Sequence, residues 1–327
     1  MSKRKRKVFL ISGIAVLAAL FALLWVVWEK QKEELPQQAA VSDGDDNTII
    51  YNGKKYKYNA DIKTVLFLGV DKSGTASVES VEGRGGQADT ILLYVMDREK
   101  KTARFVEIPR DSMAQVALYD VSGRHISDEK TQIALQYAYG SSPKQSSILM
   151  TEAVEQLFYG IDVNDYFTLY VEGINQIVDA LGGVTLTVPE DYTVIDPSFV
   201  KGDTVTLNGE KAQKYVRYRD TEVTGSNLER MERQQQFIRA LFSQFGEQDV
   251  ETGRLYQILD AAQDYLVMGM TADKLKELTE YTVEEEVLRI PGEMKAGSEH
   301  DEFHVSEDKL HEFVLDMLLQ FTPQPDK

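Results

Sequence analysis

The chain has 327 residues and is 43% hydrophobic, which is ordinary for a globular protein with a sizeable core. It contains no cysteine, so disulfides, thiol nucleophiles and cysteine-ligated zinc are excluded. The formal net charge is −17, and because residues 3–7 are all basic, the rest of the chain is strongly acidic. Nucleic acid is therefore not expected as a partner, and any anion site must be built locally from clustered arginines.

An uninterrupted apolar run follows the basic cluster over Val8–Trp28. A helix of this length spans about 31 Å, enough to cross a bilayer, and the positive-inside rule predicts a cytoplasmic N-terminus. The alternative, a cleaved signal peptide, is disfavoured because no small-residue cleavage site follows the run. The sequence predicts a single-pass membrane protein with a cytoplasmic tail (1–7), an anchor (8–28), a linker and lead-in (29–60) and an extracytoplasmic domain.

Short apolar runs predict the strands of that domain. The first three are continuous, as in central strands covered on both faces: Ile62–Val70, Thr90–Met96 and Thr102–Ile108. Four more strands are predicted further along the chain: Tyr166–Val171, Val184–Val188, Thr204–Leu207 and Val287–Ile290.

Helical patterns alternate with these strands. The sequence therefore predicts an α/β (α+β) fold, with a central mixed β-sheet flanked by helices on both faces. We predict a main domain over 61–245 and a C-terminal helical extension over 246–327 packed on it. The helical patterns cover Gln132–Tyr139, Ser147–Tyr159, Gly173–Leu181, Glu210–Val216, Arg230–Phe245, Leu255–Leu266, Ala272–Tyr281 and Glu307–Phe321.

Charged residues stand at the ends of the first three strands. Asp71 follows the first strand, Asp89 opens the second and Arg110 follows the third. Ligands of such sheets bind where loops leave the strand ends, so the two aspartates are candidate Mg²⁺ ligands and Arg110 is a candidate phosphate-binding residue. Taken singly, each aspartate is more simply explained as a loop-capping carboxylate, and the alternative for Arg110 is an ion pair with Asp111.

Arginines cluster again between residues 214 and 237. Arg217 and Arg219 would leave the same face of an extended segment, and Arg230, Arg233 and Gln234 share one face of a helix. Two such guanidinium pairs would suit phosphate or diphosphate, which arginine binds bidentately. Solvated surface charge is the alternative, and it is the prediction for Arg233.

Seven blocks in order over about Thr64–Leu241 resemble the LytR–CpsA–Psr family, membrane-anchored enzymes of bacterial cell envelopes. The main domain is accordingly identified as that family's catalytic domain. The blocks are LFLGVD (66–71), ADTILLYVMD (88–97), FVEIPRDS (105–112), ALQYAYG (134–140), VDALGGVTLTVPED (178–191), LNGEKAQKYVRYRD (207–220) and RMERQQQFIRAL (230–241).

The resemblance implies a Mg²⁺-assisted phosphotransferase in the membrane of a Gram-positive-type bacterium. Such an enzyme moves a teichoic-acid-like or capsular glycopolymer from an undecaprenyl-diphosphate carrier to peptidoglycan. By motif, Asp71 and Asp89 match the aspartates near the metal. The residues that match the substrate-binding positions are Arg110, Arg217, Arg219, Arg230 and Gln234.

The resemblance also implies a hydrophobic channel for the lipid tail. We expect helices to line it at Gln132–Tyr139, Ser147–Tyr159, Gly173–Leu181 and Arg230–Phe245. The alternative for each apolar residue of these helices is plain core.

The chain departs from the family pattern in two places. Many members have an arginine two residues before the second aspartate, where this chain has Gln87, and Arg84 is the candidate to replace it. Many also have Asp-Phe-Gly-Arg before the last helix, where residues 227–230 read NLER. These departures keep open a non-catalytic, membrane-anchored binder or regulator of lipid-linked glycans. A lipid pyrophosphatase side reaction, with water as the acceptor, is a further alternative.

Overall fold

The structure, a computed structural model, describes residues 48–51, 54–72, 74–76, 86–120, 122–220, 226–247, 252–297 and 300–321. The predicted tail and anchor, most of the linker and Arg84 lie outside these residues. Within the described part, no helix has both the length and the hydrophobicity of a membrane span. The chain divides into two compact units, Met1–Lys57 with Phe321–Lys327, and Tyr58–Gln320.

The strands of the described residues are, in chain order, β1 (Thr48–Tyr51), β2 (Lys54–Tyr58), β3 (Ile62–Val70), β4 (Ala88–Asp97), β5 (Thr102–Glu107), β6 (Met113–Tyr119), β7 (His125–Gln132), β8 (Asp165–Tyr170), β9 (Val184–Thr187), β10 (Thr204–Leu207), β11 (Leu266–Met268), β12 (Thr282–Val283), β13 (Leu288–Arg289), β14 (Gly292–Ala296), β15 (Asp301–Val305) and β16 (Leu319–Phe321). In the first unit, β1 forms an antiparallel hairpin with β2.

The helices have recognisable start and stop signals. Ser142 caps the helix that begins at Pro143, and Gly182 ends another in the left-handed conformation, with φ of 95°. The α-helices are α1 (Pro143–Leu157), α2 (Gly173–Leu181), α3 (Gly209–Arg217), α4 (Ser226–Glu247), α5 (Thr252–Ala261), α6 (Ala272–Leu278) and α7 (Glu307–Leu318). A 3-10 helix covers Ile133–Tyr139 and a shorter one Gln263–Tyr265.

A mixed sheet organises the second unit, in the order β11-β8-β3-β4-β5-β12, with β13 also paired to β5. Strand β3 runs parallel to β8 and antiparallel to β4. Strands β12 and β13 run parallel to β5, and β11 runs antiparallel to β8. The predicted central mixed sheet is therefore confirmed.

Each face of this sheet carries its own apolar core, because successive side chains of a strand point to opposite faces. On β3, Val65 and Phe67 belong to one core, which includes residues of α2 to α6. Leu66 and Leu68 belong to the other, which includes residues of α1, α7 and the longer 3-10 helix. Helices thus cover both faces, as predicted.

The C-terminal segment supplies strands as well as helices, and of these strands the sequence patterns predicted one, Val287–Ile290, which contains β13. The helical pattern over Leu255–Leu266 ends early, because α5 stops at Ala261 and Leu266 begins β11. Strand β11 forms one edge of the sheet, while β12 and β13 form the other. Residues after 246 therefore complete the sheet that the main domain begins, and the domain boundaries themselves stay a prediction.

Three hairpins also escaped prediction, and the first, β1–β2, lies in the predicted linker and lead-in (29–60). The β6–β7 hairpin follows Ser112, and β14 pairs antiparallel with β15. Strand β7 reads HISDEKTQ and is largely exposed, so it lacks the apolar alternation from which a strand is predicted.

Candidate functional site

A β-bulge shapes the end of the sheet where the site lies. Gly69 pairs with Thr90 and Val70 with Ala88, so the register skips Asp89. A bulge re-aims side chains by interrupting their alternation. As a result Asp89 and Thr90, although adjacent in sequence, both line the same cavity.

Arg110 lies directly behind Asp89. Its Nη1 donates to Asp89 Oδ1, its Nη2 donates to Gln87 Oε1 at 2.6 Å, and its Nε lies 3.4 Å from Asp111 Oδ1. The side chain is 20% exposed. Gln87, which stands where many family members have arginine, is therefore a neutral hydrogen-bond acceptor that orients Arg110.

Asp71 leaves β3 at the same edge and meets the end of α3. Arg217 Nη2 donates to Asp71 Oδ1 at 3.1 Å, and both side chains are nearly half exposed. Arg217 is the last residue of α3, and Tyr218 turns the chain out of the helix with ψ of 130°. Arg219 follows, exposed, close enough for its charge to act on Asp111 and Arg230.

Helix α4 brings two more of the predicted residues to this point. Arg230, 8% exposed, has its Nη1 3.5 Å from Asp89 Oδ2. Gln234, one turn further on, accepts from Thr90 Oγ1 at 2.9 Å and donates to the Val216 carbonyl at 3.1 Å. The i and i+4 spacing read from the sequence thus corresponds to one helix face at the site.

Arg233 is buried, so its assignment to the surface was wrong. It is 2% exposed. Its Nε donates to the Tyr215 carbonyl at 2.9 Å and its Nη2 donates to the Tyr218 carbonyl. Helical spacing alone could not show that α3 ends against this part of α4, and the missed signal was the unbroken polar run Glu232–Gln236 between Met231 and Phe237.

An apolar cavity opens beside these polar groups. The space in it that the centre of a water molecule can occupy is about 150 Å³. At its polar end lie Asp71, Asp89, Thr90, Arg217, Arg230 and Gln234. Its other walls are apolar, from Phe67, Phe167, Leu169, Ile174, Ile177, Phe237, Ile238, Leu241, Phe242, Phe245, Leu255, Ile258, Leu259 and Leu275.

The walls of this cavity correct part of the channel prediction. Helices α2 and α4 line it, as expected. The segments Gln132–Tyr139 and Ser147–Tyr159 do not, because they pack on the opposite face of the sheet. Helices α5 and α6, to which no role was assigned, supply the remaining wall.

The two aspartates fit a magnesium site. Both line the polar end of one cavity, and Mg²⁺ commonly takes one or two carboxylates together with phosphate oxygens of a substrate. Among the described residues, His, Asp and Glu side chains do not gather in groups of three or more that could hold a metal by themselves. The chemistry of the pair therefore suits a metal shared with a phosphorylated ligand.

Asp111 is a buried acid, predicted from the sequence only as an ion-pair partner of Arg110. Burial raises the pKa of its carboxyl, and the charges of Arg110, Arg219 and Arg230 oppose this shift. Its Oδ1 accepts from Gln132 Nε2 at 3.1 Å. Burial likewise lowers the pKa of the Arg230 guanidinium, which Asp89 opposes. The site is thus a cationic cluster partly balanced by three carboxylates.

Similarity to known proteins agrees with this architecture. The model of the LytR_cpsA_psr family matches residues 28–317. The chain belongs to the LytR–CpsA–Psr family.

Two relatives carry an assigned activity. The polyisoprenyl-teichoic acid–peptidoglycan teichoic acid transferase TagV of Bacillus subtilis is 30% identical over 185 residues, which cover 54% of this chain but only 42% of TagV. The transferase TagU of Bacillus licheniformis is 27% identical over 251 residues, covering 74% of this chain and 72% of TagU.

Among solved structures, that of TagT bound to LI-WTA superposes with a TM-score of 0.58. The match covers 85% of this chain and 96% of the TagT chain at 22% identity. At this identity the likeness establishes a common fold.

Proposed function

We propose that this protein is a phosphotransferase that moves a teichoic-acid-like or capsular glycopolymer from an undecaprenyl-diphosphate carrier to peptidoglycan. It would act outside the cell membrane, held there by the predicted anchor. One observation carries the proposal: a cluster of arginines and aspartates forms one end of a deep apolar cavity. That combination suits an amphiphile with a diphosphate head and a long hydrocarbon tail.

The relatives support the choice of substrates. TagU and TagV are transferases of teichoic acid to peptidoglycan, and the TagT complex contains LI-WTA. The four arginines Arg110, Arg217, Arg219 and Arg230 suit a diphosphate, because guanidinium groups bind phosphate oxygens bidentately.

Each charged residue of the site would have its own role. Arg217 and Arg219, the exposed arginines, would bind the diphosphate as it enters, and Arg230 would meet it at the inner edge of the cavity. Arg110 holds Asp89 from behind. Asp71 and Asp89 would hold Mg²⁺, which when bound supplies positive charge to the diphosphate oxygens.

The reaction needs no nucleophilic side chain. A hydroxyl of peptidoglycan attacks the sugar-linked phosphorus, the bond from that phosphorus to the bridging oxygen breaks, and undecaprenyl phosphate leaves. The hydroxyl proton passes to solvent or, where one aspartate acts as a base instead of a metal ligand, to Asp71 or Asp89. Most of the acceleration would come from positioning and charge neutralisation, as is usual for phosphoryl transfer. With water in place of the hydroxyl, the same site would act as a lipid pyrophosphatase.

The test is release of undecaprenyl phosphate from a lipid-linked polymer in the presence of peptidoglycan. Arg217→Ala and Arg219→Ala should each lower the rate on the order of 100-fold without changing the thermal unfolding temperature, since each removes charge from the transition state. Excess EDTA should slow the wild type, and added Mg²⁺ should restore it.

The outcomes separate the proposal from its rival. Tight binding of the lipid-linked polymer with no release of undecaprenyl phosphate would make the protein a non-catalytic binder. Wild-type rates in either arginine variant would remove the assignment of the diphosphate site, and unchanged rates in EDTA would remove the metal.

A further inference from the structure

Helix α3 ends where its carbonyl groups need outside partners. The last carbonyls of any α-helix find no N–H donor within the helix. Here the side chains of two consecutive α4 residues donate to them. Arg233 donates to the carbonyls of Tyr215 and Tyr218, and Gln234 donates to the carbonyl of Val216.

Arg233 is suited to hold this end rigidly. Its guanidinium is almost fully buried and lies 5.0 Å from the centre of the Tyr192 ring. A helix C-terminus carries partial negative charge, and an aromatic face attracts a cation, so both stabilise the buried charge. The planar fork reaches two carbonyls at once, on either side of Arg217.

The carbonyls that Arg233 binds lie on both sides of Arg217 and directly before Arg219. Arg217 lies between Tyr215 and Tyr218, and Arg219 comes next in the chain. A long exposed side chain has many rotamers, so its reach depends on where its backbone is fixed. We call the two hydrogen bonds from Arg233 to the Tyr215 and Tyr218 carbonyls the Arg233 clamp. Without this clamp, the segment Tyr215–Arg219 would lose its fixed position at the polar end of the cavity.

We propose that Arg233 is a positioning residue, which acts on ligand binding only through the backbone that carries Arg217 and Arg219. Its effect on binding rests on the proposed function, whereas the clamp itself is a property of the fold. A purely structural arginine would instead lower the stability of the whole domain and leave the segment no looser than other exposed segments.

The binding test is a double-mutant cycle on the full-length chain with farnesyl diphosphate as the probe. Arg233→Met keeps the aliphatic bulk but removes the donors. We expect Arg233→Met and Arg217→Ala each to weaken binding about tenfold, the scale of a lost charge-assisted hydrogen bond. In the double variant the loss should be smaller than the product of the two single losses, because both substitutions impair Arg217 and the double variant retains only the effect on Arg219 in addition. Glu232→Gln, on the exposed side of the same helix, is the control and should bind normally.

A second measurement needs no ligand. Trypsin cleaves after arginine, so native-state cleavage at Arg217–Tyr218 reports how often this segment opens. Cleavage at Arg124–His125, in the exposed turn of the β6–β7 hairpin, is the reference for a segment that Arg233 does not contact. We expect Arg233→Met to raise the ratio of the two rates about tenfold, Arg233→Lys to raise it less, and Glu232→Gln to leave it unchanged.

The cleavage and binding results test the positioning role and the proposed function separately. An unchanged cleavage ratio in Arg233→Met overturns the positioning role, and so does a double variant whose losses multiply. If the wild-type chain fails to bind farnesyl diphosphate, the proposed function loses its support, while the cleavage ratio still tests the clamp.

Discussion

Arg110 has its guanidinium oriented by three side chains. Gln87, Asp89 and Asp111 each contact a different nitrogen of it. A guanidinium has five N–H donors, so part of its fork remains for a ligand while its plane is fixed. An arginine at position 87 could not accept this hydrogen bond. The departure from the family pattern therefore changes what the residue does, from an added cation to a neutral acceptor.

Gln87→Ala should free one side of the Arg110 fork. We expect turnover to fall about tenfold with little change in KM, because the loss concerns orientation during the reaction. Gln87→Glu keeps an acceptor and adds negative charge, so KM should rise instead. Steady-state release of undecaprenyl phosphate measures both, and an alanine variant with wild-type turnover would contradict the role given to Gln87.

Asp111 gives a pH-dependent prediction. Burial raises the pKa of its carboxyl above the ordinary value of 3.8, so the folded chain binds this proton more tightly than the unfolded chain. The stability that this group contributes is therefore fully present below that ordinary value and is lost as the pH rises through the raised pKa. Asn at this position does not ionise.

The stability of Asp111→Asn relative to wild type should consequently be higher at about pH 7 than at about pH 4. Urea unfolding of both proteins across this range measures the free-energy difference. A difference that stays constant with pH, or that shrinks as the pH rises, would show that the arginines around Asp111 outweigh its burial.

Residue types at strand ends were enough to predict most of the charged site. Asp71, Asp89 and Arg110 were found because each adjoins an apolar run, and Arg217 because a second arginine stands two residues away. Arg233 and Gln87 were not understood, since their partners are a carbonyl and a side chain distant in sequence. Such contacts follow from tertiary packing, which local spacing does not encode.

At the scale of elements, helix α4 contributes both to the polar end of the cavity and to its apolar wall. Its first turns carry Arg230, Arg233 and Gln234, and its later turns carry the apolar residues Phe237 to Phe245 that face the cavity. The amphipathic pattern predicted this helix well. The sequence did not predict which helices would share the cavity, because an apolar face gives no information about which side of the sheet it covers.

A bulky residue in the cavity wall should discriminate between lipid tails. Leu241→Trp would fill space next to Phe237 and Phe245, so binding of a long-chain polyprenyl diphosphate should weaken about tenfold, whereas that of a short-chain diphosphate should change little. Ser243→Trp, on the exposed side of the same helix, is the matched control. Calorimetric titration with both chain lengths measures the effect, and equal losses for the two would argue against a tail in this cavity.

At the largest scale, strands from the C-terminal segment form both edges of the sheet in the second unit. The central strands β3, β4 and β5 were predicted from their apolar runs, and β13 lies within the predicted strand Val287–Ile290, but β11 and β12, each three residues long or shorter, were not predicted. Short edge strands contain too few residues for a pattern and owe their conformation to the neighbouring strand. The prediction of a C-terminal helical extension followed from that gap.

A chain ending at Glu247 should therefore fail to fold. It would leave β5 and β8 as open edges and uncover the core residues that Leu255, Ile258 and Leu275 cover. We expect no cooperative thermal transition in near-ultraviolet circular dichroism. A chain ending at Phe321, after the last described strand, should retain the transition. Cooperative melting of the shorter chain would show that the main domain is independent.

Helix α4 also has a consequence for the geometry of any amphiphile that the protein holds. From Arg230 to Phe245 a continuous α-helix advances about 22 Å, and both residues face the same cavity. The helix therefore fixes the distance between a charged side chain near one end and an apolar side chain near the other. An amphiphile that contacts both residues would therefore have to span this distance.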